Sequence, residues 1–329
     1  MTAVVYRCYG GPEVLALETF EKPAPGPGEM LIAIKAAGVN PLDWHYMRGS
    51  PYFMRLMSGM GAPAETRFGV DFAGIVEAVG ANVTKYQPGD AVFGGRTGAF
   101  GEYVVVAEDW ALGRIPDNVS FEQAAATPIA GVTALQALRD TGKLQAGEKV
   151  LVNGSSGGVG TYAVQIAKAM GAEVYGVNST RNVEMVLGLG ADHVFDYKKE
   201  NYTESGMKFD LIIDMIGNHG PADNRRVMTD DGILVMVGGR KGDWIGPMAG
   251  PLKGIVYSKF VDQEFKTFLA RFNSEDLTAL ADMMADGKVK SVIDRTYSLD
   301  EVRDAIEYSE SGRARGKIIL VIDGGPESP

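Results

Sequence analysis

The sequence contains very little cysteine and histidine. Cys8 is the only cysteine among 329 residues, and there are three histidines. A single thiol cannot form an intrachain disulfide, and it excludes every zinc site built on two or more thiolates. Because soft ligands are so scarce, a tetrahedral site of nitrogen and sulfur atoms is disfavoured, and we expect no metal.

Long hydrophobic runs and an excess of positive charge are also missing. No uninterrupted apolar run approaches the roughly 20 residues of a membrane span, and the first residues lack the basic and apolar regions of a signal peptide. Lysine and arginine number 32 against 42 acidic residues, a net charge of −10 that opposes nonspecific binding to nucleic acid. We therefore expect a cytoplasmic protein that binds neither membranes nor nucleic acid.

The first third of the chain has the texture of a β-rich domain. A length of 329 residues favours two domains rather than one hydrophobic core. Short apolar runs punctuated by glycine and proline predict strands at 30–36, 74–79, 90–93 and 102–106.

Beyond Phe121 the pattern changes to helical spacing that alternates with short apolar runs, as in a parallel β-α-β sheet. Strands are predicted at 149–152, 173–177, 209–214 and 232–237. Near the end, Ser298 and Glu301 have the spacing of a capping box before a helix through Ser309, and a last strand is predicted at 317–322.

The strongest motif is VLVNGSSGGVG at 150–160, which follows a predicted strand and opens a predicted helix. Gly154, Gly157 and Gly160 stand three residues apart, so the backbone can turn tightly and let a pyrophosphate approach the helix N-terminus. The alternative is a glycine-rich turn that only packs the helix on the sheet. The strands on both sides favour a dinucleotide site, whose predicted residues here are Gly154, Ser155, Gly157, Gly158 and Val159.

The turn after the second strand of this unit predicts the choice of cofactor. An acidic residue there would accept the ribose hydroxyls of NAD, but the sequence has the neutral stretch Asn178, Ser179, Thr180 and then Arg181. A donor-rich turn with a guanidinium suits a 2′-phosphate, and Tyr197 after the third strand adds a hydroxyl, so NADPH is predicted. In the alternative, Ser179 or Thr180 caps a helix at 182–189 and Arg181 is solvated.

Taken in order, several segments resemble the medium-chain dehydrogenase/reductase superfamily in its zinc-free quinone oxidoreductase-like branch. They are AAGVNPLDW at 36–44, GVDFAGIVEAVG at 69–80, PGDAVFG at 88–94, GAFGEYVVV at 98–106, ATPIAGVTA at 126–134 and RGKIIL at 315–320. The resemblance implies an α/β fold, with a Rossmann doubly wound parallel sheet inserted into a β-rich GroES-like domain. It assigns residues 1–126 and 273–329 to the GroES-like substrate domain and 127–272 to the NADP-binding domain.

The chain departs from the zinc alcohol dehydrogenases of that superfamily at their metal-ligand positions. The matching segments have Asn40, Pro41 and Asp43, then Val70 and Asp71, and the four-cysteine lobe is missing. Hydride transfer to a simple ketone creates a localised alkoxide that zinc normally stabilises. A quinone or an α,β-unsaturated carbonyl spreads the charge, so hydrogen-bond donors suffice. We therefore expect NADPH-dependent reduction of such a hydrophobic small molecule without zinc.

The resemblance also assigns roles to individual side chains. Asn40 is placed near the nicotinamide ribose and substrate oxygen, although an asparagine before proline also shapes turns. Asp43 is predicted to orient a water or a donor, or else to cap a helix. Tyr46 is predicted to protonate the product or hold its oxygen, with packing as the alternative. Thr133 is assigned to the cofactor, as are the further positions Ile216, Gly238 and Lys317.

Two glycine- and proline-punctuated segments, 50–60 and 243–256, are candidates for shaping substrate specificity. In the alternative, Tyr52, Phe53, Leu56 and Met60 form the core face of one short helix. Residues 323–329 are predicted to be a loose tail.

Residues 264–269 are predicted to be the final, edge strand of the parallel sheet, and an open edge invites pairing. The resemblance implies a homodimer joined at this edge, with residues 265–270 in the interface. A monomer in which a helix at 275–286 shields the edge is the alternative. Two other functions stay open: an NAD(P)-dependent alcohol dehydrogenase or carbonyl reductase, and a non-catalytic NADPH-binding protein.

Overall fold

The computed structural model describes residues 1–238, 254 and 257–322. The chain forms two structural units, in line with the two patterns of apolar residues in its sequence. The first unit comprises Met1–Ile129, Phe272–Gly287 and Ser291–Pro329. The second comprises Ala130–Arg271 and Lys288–Lys290.

Strands and helices follow the chain in this order. The strands are β1 (Thr2–Val5), β2 (Ala16–Thr19), β3 (Glu29–Val39), β4 (Asp71–Val79), β5 (Ala91–Gly95), β6 (Tyr103–Ala107), β7 (Leu112–Arg114), β8 (Lys149–Asn153), β9 (Glu173–Asn178), β10 (His193–Asp196), β11 (Phe209–Asp214), β12 (Met228–Met236), β13 (Glu264–Thr267), β14 (Ile293–Ser298) and β15 (Lys317–Val321). The α-helices are α1 (Pro41–Arg48), α2 (Arg55–Ser58), α3 (Phe121–Ala125), α4 (Pro128–Gln136), α5 (Gly158–Ala169), α6 (Val183–Gly188), α7 (Pro221–Arg225), α8 (Ser274–Ala285) and α9 (Val302–Glu310).

The first unit is built around the long strand β3. Along one edge of β3, residues 36–39 pair with β15 and residues 29–33 pair with β6. The other edge of β3 pairs with β4. The sheet order is β14-β15-β3-β4-β5-β7, with β6 on β3, and β1 and β2 form a separate antiparallel pair. Its core is an apolar cluster that includes Ile32, Ile34, Phe72, Val76, Phe100 and Leu320.

Among the described residues, the second unit contains a parallel sheet of six strands in the order β10-β9-β8-β11-β12-β13. The order reverses beside β8, and an open parallel sheet binds its ligand at such a point, outside the carboxyl ends of the strands. Its core includes Leu151, Tyr175, Phe195, Phe209, Ile212, Leu234 and Phe265.

The predicted fold class is confirmed, with small differences in element bounds. The helix predicted at 182–189 is Val183–Gly188, and a single 3-10 turn, Thr180–Asn182, precedes it. The edge strand predicted at 264–269 ends at Thr267. Within the described residues, no helix is both long enough and apolar enough to cross a membrane. The predicted segment 243–256, apart from Gly254, and the predicted tail 323–329 lie outside the described residues.

Candidate functional site

The start of α1 positions the predicted catalytic residues of the first unit. Asn40 is the N-cap, with extended backbone, and Pro41 follows it at the first helical position. Three residues on, the Asp43 carboxylate accepts the Asn40 backbone N–H at 2.7 Å. Asp43 therefore caps the helix, as one of the two interpretations expected. Tyr46 lies three residues further along, on the same face as Asp43.

Asn40 is held on both sides by buried charged groups. Its side-chain Nδ2 donates to Gly38 O at 3.1 Å and to Asp71 Oδ2 at 2.9 Å. Its Oδ1 accepts a hydrogen bond from Lys317 Nζ, and that Nζ lies 3.6 Å from Asp71 Oδ2. The four side chains Asn40, Asp43, Asp71 and Lys317 are at most 3% exposed. We call them the buried polar cluster.

Asp71 is a member of this cluster that the sequence reasoning did not assign to the site. Each of its carboxylate oxygens accepts the Ile129 backbone N–H at 3.2 Å, in addition to the bond from Asn40. The available signal was an aspartate that opens an apolar strand, β4, because a buried carboxylate requires partners. Lys317 was predicted to bind the cofactor, but its ammonium is directed to Asn40 and Asp71.

Burial controls the protonation of the cluster. It raises the pKa of Asp43 from 3.8 to about 8, with the Asn40 N–H opposing and the Asp71 charge adding to the rise. Burial also raises the pKa of Asp71, to about 6, against the opposing charge of Lys317. The pKa of Lys317 is lowered by burial. Near neutral pH, Asp71 is therefore ionised beside the Lys317 side chain, and Asp43 keeps its proton.

A cavity of about 200 Å³ in the first unit is lined by Asp43 and Tyr46. This is several times the roughly 30 Å³ that one water molecule occupies in the liquid. The second carboxylate oxygen of Asp43, Oδ1, is buried and makes no hydrogen bond to another described residue. The remaining lining residues are Tyr6, Ser58, Ala64, Glu65, Arg67, Phe68, Gly69, Val70 and Thr97.

The segment at 50–60 does not form a packed core helix. Tyr52 and Phe53 are 37% and 45% exposed, and Leu56 and Met60 are 75% and 70% exposed. The chain instead makes a 3-10 turn, Tyr52–Met54, followed by the four-residue α2. The packing alternative for these four side chains is therefore wrong.

In the second unit, the glycine-rich turn has the geometry that its sequence predicts. Gly154 has a φ of +95°, which favours glycine. A Cβ on Gly160 would lie 2.1 Å from Gly154 O, so only glycine lets α5 pack this closely on the turn. A Cβ on Gly157 would meet only Gly154 O, at 3.6 Å, so the space beside the start of α5 is open. Gly158 and Val159 form the first turn of α5 and are half-buried.

Two neighbouring elements complete the surroundings of this turn. Ser155 is fully buried, and its hydroxyl donates to Val177 O at 3.2 Å and accepts from Asn178 Nδ2 at 3.1 Å. Its side chain therefore fixes the turn to β9 rather than facing outward. Ile216 is 47% exposed and lies 3.0 Å from the position of a Cβ on Gly154.

Gly238 follows β12 and lies at the same end of the sheet, beside the loop after β11. The backbone N–H of Gly238 donates to Asp214 O at 3.2 Å, and a Cβ there would lie 2.2 Å from Met215 O. Asp214 Oδ1 accepts the Ile216 N–H at 3.0 Å. Thr133 lies in α4 and is half-buried, and its role toward the cofactor stays a prediction.

The side chains of the turn after β9 make other hydrogen bonds than the sequence predicted. Ser179 makes no side-chain capping bond, and the Thr180 hydroxyl donates to Asp196 Oδ2 at 2.7 Å. A carboxylate therefore lies beside this turn, although Asn178, Ser179 and Thr180 are themselves neutral. The sequence did not reveal this because Asp196 ends the next strand, β10, and reaches the turn through the register of Asp196 with Asn178. Arg181 and Tyr197 are exposed beside it.

Metal ligands do not gather at either site. Within residues 1–238, 254 and 257–322, no group of three or more histidine, cysteine or acidic side chains is placed to hold a metal ion. That the chain works without zinc stays a prediction.

Comparison with known proteins identifies the family. Residues 26–117 match the alcohol dehydrogenase GroES-like domain, and residues 189–320 match a family described as zinc-binding dehydrogenase. The quinone oxidoreductase of Homo sapiens is 34% identical over 338 positions, covering 98% of each chain. The 2-methylene-furan-3-one reductase of Solanum lycopersicum is 33% identical, covering 97% of this chain and 79% of its own length.

A solved structure agrees over the whole chain. The quinone oxidoreductase of Escherichia coli, complexed with NADPH, superimposes with a TM-score of 0.83 at 27% identity, covering 98% of this chain and 100% of its own. The fold and the glycine-rich site thus define a medium-chain dehydrogenase/reductase. Within that superfamily, the chain belongs to the quinone oxidoreductase-like branch, as the motifs predicted.

Proposed function

We propose that the chain is an NADPH-dependent oxidoreductase that transfers a hydride to a quinone or an α,β-unsaturated carbonyl without zinc. The observation that carries this proposal is the open, glycine-lined space at Gly157. The chain that contains it is similar to quinone oxidoreductases over 98% of its length. In this proposal residues 127–272 hold the cofactor, and residues 1–126 with 273–329 hold the substrate.

The residues of the second unit fit a dinucleotide. Backbone N–H groups at the start of α5 face an open space, where a pyrophosphate gains from both the donors and the helix dipole. Bound NADPH would supply the hydride. We assign it to the glycine-rich turn, the turn after β9, Tyr197, Thr133 and the loops that contain Ile216 and Gly238. Because the Lys317 ammonium is committed to Asn40 and Asp71, we assign it a positioning role through Asn40.

The residues of the first unit fit a conjugated acceptor. Reduction of an enone or a quinone consumes one proton for each hydride, and the charge that forms is spread over the acceptor. Asp43 is the group we assign to hold that proton, because it lines the cavity beside Tyr46 and stays protonated near neutral pH. Tyr46 is assigned to hydrogen-bond the substrate oxygen. Asn40 is the positioning residue, since Asp71 and Lys317 fix its amide.

A substrate panel tests the function. The purified chain is mixed with NADPH, or with NADH, and with quinones, enals, enones or simple ketones, and the loss of reduced cofactor is followed with and without a zinc chelator. We expect turnover of quinones or enones that the chelator leaves unchanged. Chelator-sensitive reduction of ketones, with oxidation of alcohols by NADP, would instead establish the alcohol dehydrogenase. Tight binding of NADPH without turnover of any acceptor would establish the non-catalytic binding protein.

A further inference from the structure

The turn after β9 contains a hydrogen bond that bears on the choice of cofactor. Thr180 is exposed, and its Oγ1 donates to Asp196 Oδ2 at 2.7 Å. In a Rossmann unit, the end of this strand meets the adenosine ribose, where the two nicotinamide cofactors differ. NADPH has a 2′-phosphate at that position, and NADH has a free hydroxyl.

The hydroxyl of Thr180 has a single hydrogen, and Asp196 takes it. Thr180 therefore presents only oxygen lone pairs to a ligand. Lone pairs accept a hydrogen bond from a ribose hydroxyl. They repel the oxygens of a phosphate, because those oxygens are themselves acceptors and require hydrogen-bond donors. The side-chain hydrogen bond thus turns a residue that suits either cofactor into one that suits a free 2′-hydroxyl.

Asp196 also brings negative charge to the turn. The pKa of its carboxyl is lowered, chiefly by the hydrogen bond from Thr180, so the group is ionised at neutral pH. It accepts the Lys198 backbone N–H at 3.1 Å and forms an ion pair with Lys199 Nζ at 3.3 Å. The Lys199 side chain is 69% exposed, so solvent and salt screen its positive charge. It therefore neutralises the Asp196 carboxylate only in part. Arg181, exposed on the same turn, has the opposite effect on a phosphate.

We propose that Asp196 is a specificity-determining residue of the cofactor site, which lowers the affinity for a 2′-phosphate and leaves the affinity for a free 2′-hydroxyl intact. The chain then balances an attractive guanidinium at Arg181 against a repulsive carboxylate at Asp196. This inference rests on the proposed function, because it requires a nicotinamide dinucleotide to bind at the glycine-rich turn.

Substitution of Asp196 by asparagine tests the proposal. Asp196→Asn removes the charge and keeps one of the two acceptor oxygens, so either the Thr180 hydroxyl or the Lys198 N–H retains its partner. Dissociation constants for NADPH and NADH are measured by fluorescence titration, with no substrate present. We expect NADPH to bind about tenfold more tightly at low salt and NADH to change little. The matched control is Asp231→Asn, which removes the same charge from an exposed position near the start of β12.

A second variant tests the hydroxyl itself. Thr180→Val keeps the shape of the side chain and removes its lone pairs, so we expect NADH to lose about fivefold in affinity and NADPH to lose less. Weaker NADPH binding by Asp196→Asn, equal effects on the two cofactors, or a larger loss of NADPH than of NADH in Thr180→Val would overturn the inference. If the wild-type chain bound neither cofactor, the proposed function would fail as well. Thermal melts of each variant establish that the binding changes are measured on folded protein.

Discussion

At the scale of single residues, the protonated Asp43 makes a prediction about stability. Its pKa is about 8 in the folded chain and 3.8 when unperturbed, so between these values the folded state binds a proton that the unfolded state releases. The free energy of unfolding therefore falls as the pH rises through this window. Asp71, whose pKa is raised to about 6, acts in the same direction over the lower part of the window.

Asp43→Asn removes this titration and keeps an oxygen for the Asn40 N–H. We expect its Tm to fall less than that of the wild type as the pH rises from 5 to 8, and Asp43→Asn to be the more stable protein at pH 8. The comparison is a series of thermal melts over that range. The control Asp109→Asn changes an exposed carboxylate of the same unit and should follow the wild type. Parallel curves for Asp43→Asn and wild type would show that Asp43 is ionised throughout.

Arg181 makes a second prediction at this scale. Arg181→Ala should weaken NADPH about ten- to hundredfold and NADH much less, because only NADPH has the 2′-phosphate that a guanidinium binds. Titration of the same preparation with both cofactors provides the internal control. Equal losses for the two cofactors would refute a phosphate role for Arg181.

Individual residues show where sequence reasoning succeeds and where it fails. Asn40 and Asp43 were named because they lie together in one short motif of the family, and the bond from the Asn40 N–H to Asp43 is a local helix cap. Asp71 was not assigned to the site, and Asp196 was not considered, because each acquires its meaning from a partner far away in sequence, Asn40 for Asp71 and Thr180 for Asp196, that strand pairing brings close. A pairing between strands depends on register, which a local pattern does not contain.

At the scale of elements, two glycines of the turn between β8 and α5 are predicted to have different roles, Gly160 in stability and Gly157 in cofactor binding. Gly160→Ala forces a Cβ to within 2.1 Å of a backbone oxygen, so we expect a loss of about 1 to 3 kcal/mol in stability. Gly157→Ala meets no atom closer than 3.6 Å, so it should melt near the wild type and yet bind both cofactors poorly. Thermal melts and cofactor titrations of the two variants test this. Undiminished cofactor binding by Gly157→Ala would remove the turn from the cofactor site.

Element existence was easier to predict than element bounds. The strands with long apolar runs, such as β3 and β11, were predicted because burial on both faces requires such runs. β2, with the sequence ALET and largely exposed, has no such pattern and was not predicted. The segment at 52–60 was ambiguous because helical spacing alone does not tell a core face from an exposed apolar surface.

At the scale of the whole molecule, we propose a homodimer joined through the β13 edge and residues 265–270. Phe265 is buried in its own sheet, whereas Leu269 is 83% exposed, so Leu269 is the side chain available to a partner. The helix expected to shield this edge, α8, packs Leu277 against Gly113 of β7 in the first unit. Leu269→Asp should therefore yield a folded monomer, because the change costs nothing inside one chain.

Light scattering over a dilution series measures the mass of wild type and variant. Leu187→Asp, at a partly exposed leucine of α6 in the same unit, is the matched control and should stay dimeric. A monomeric mass for the wild type at every concentration would rule out the proposed assembly.

The central claim is that the chain transfers a hydride from NADPH to a conjugated acceptor. The most direct measurement uses NADPH deuterated at its transferable ring position, with an enone that the chain reduces, and mass spectrometry and NMR of the product. We predict one deuterium per product molecule at the β-carbon, with the proton at the α-carbon derived from solvent through the protein. A product without deuterium, or NADPH that stays reduced in the presence of every quinone and enone tested, would contradict the account.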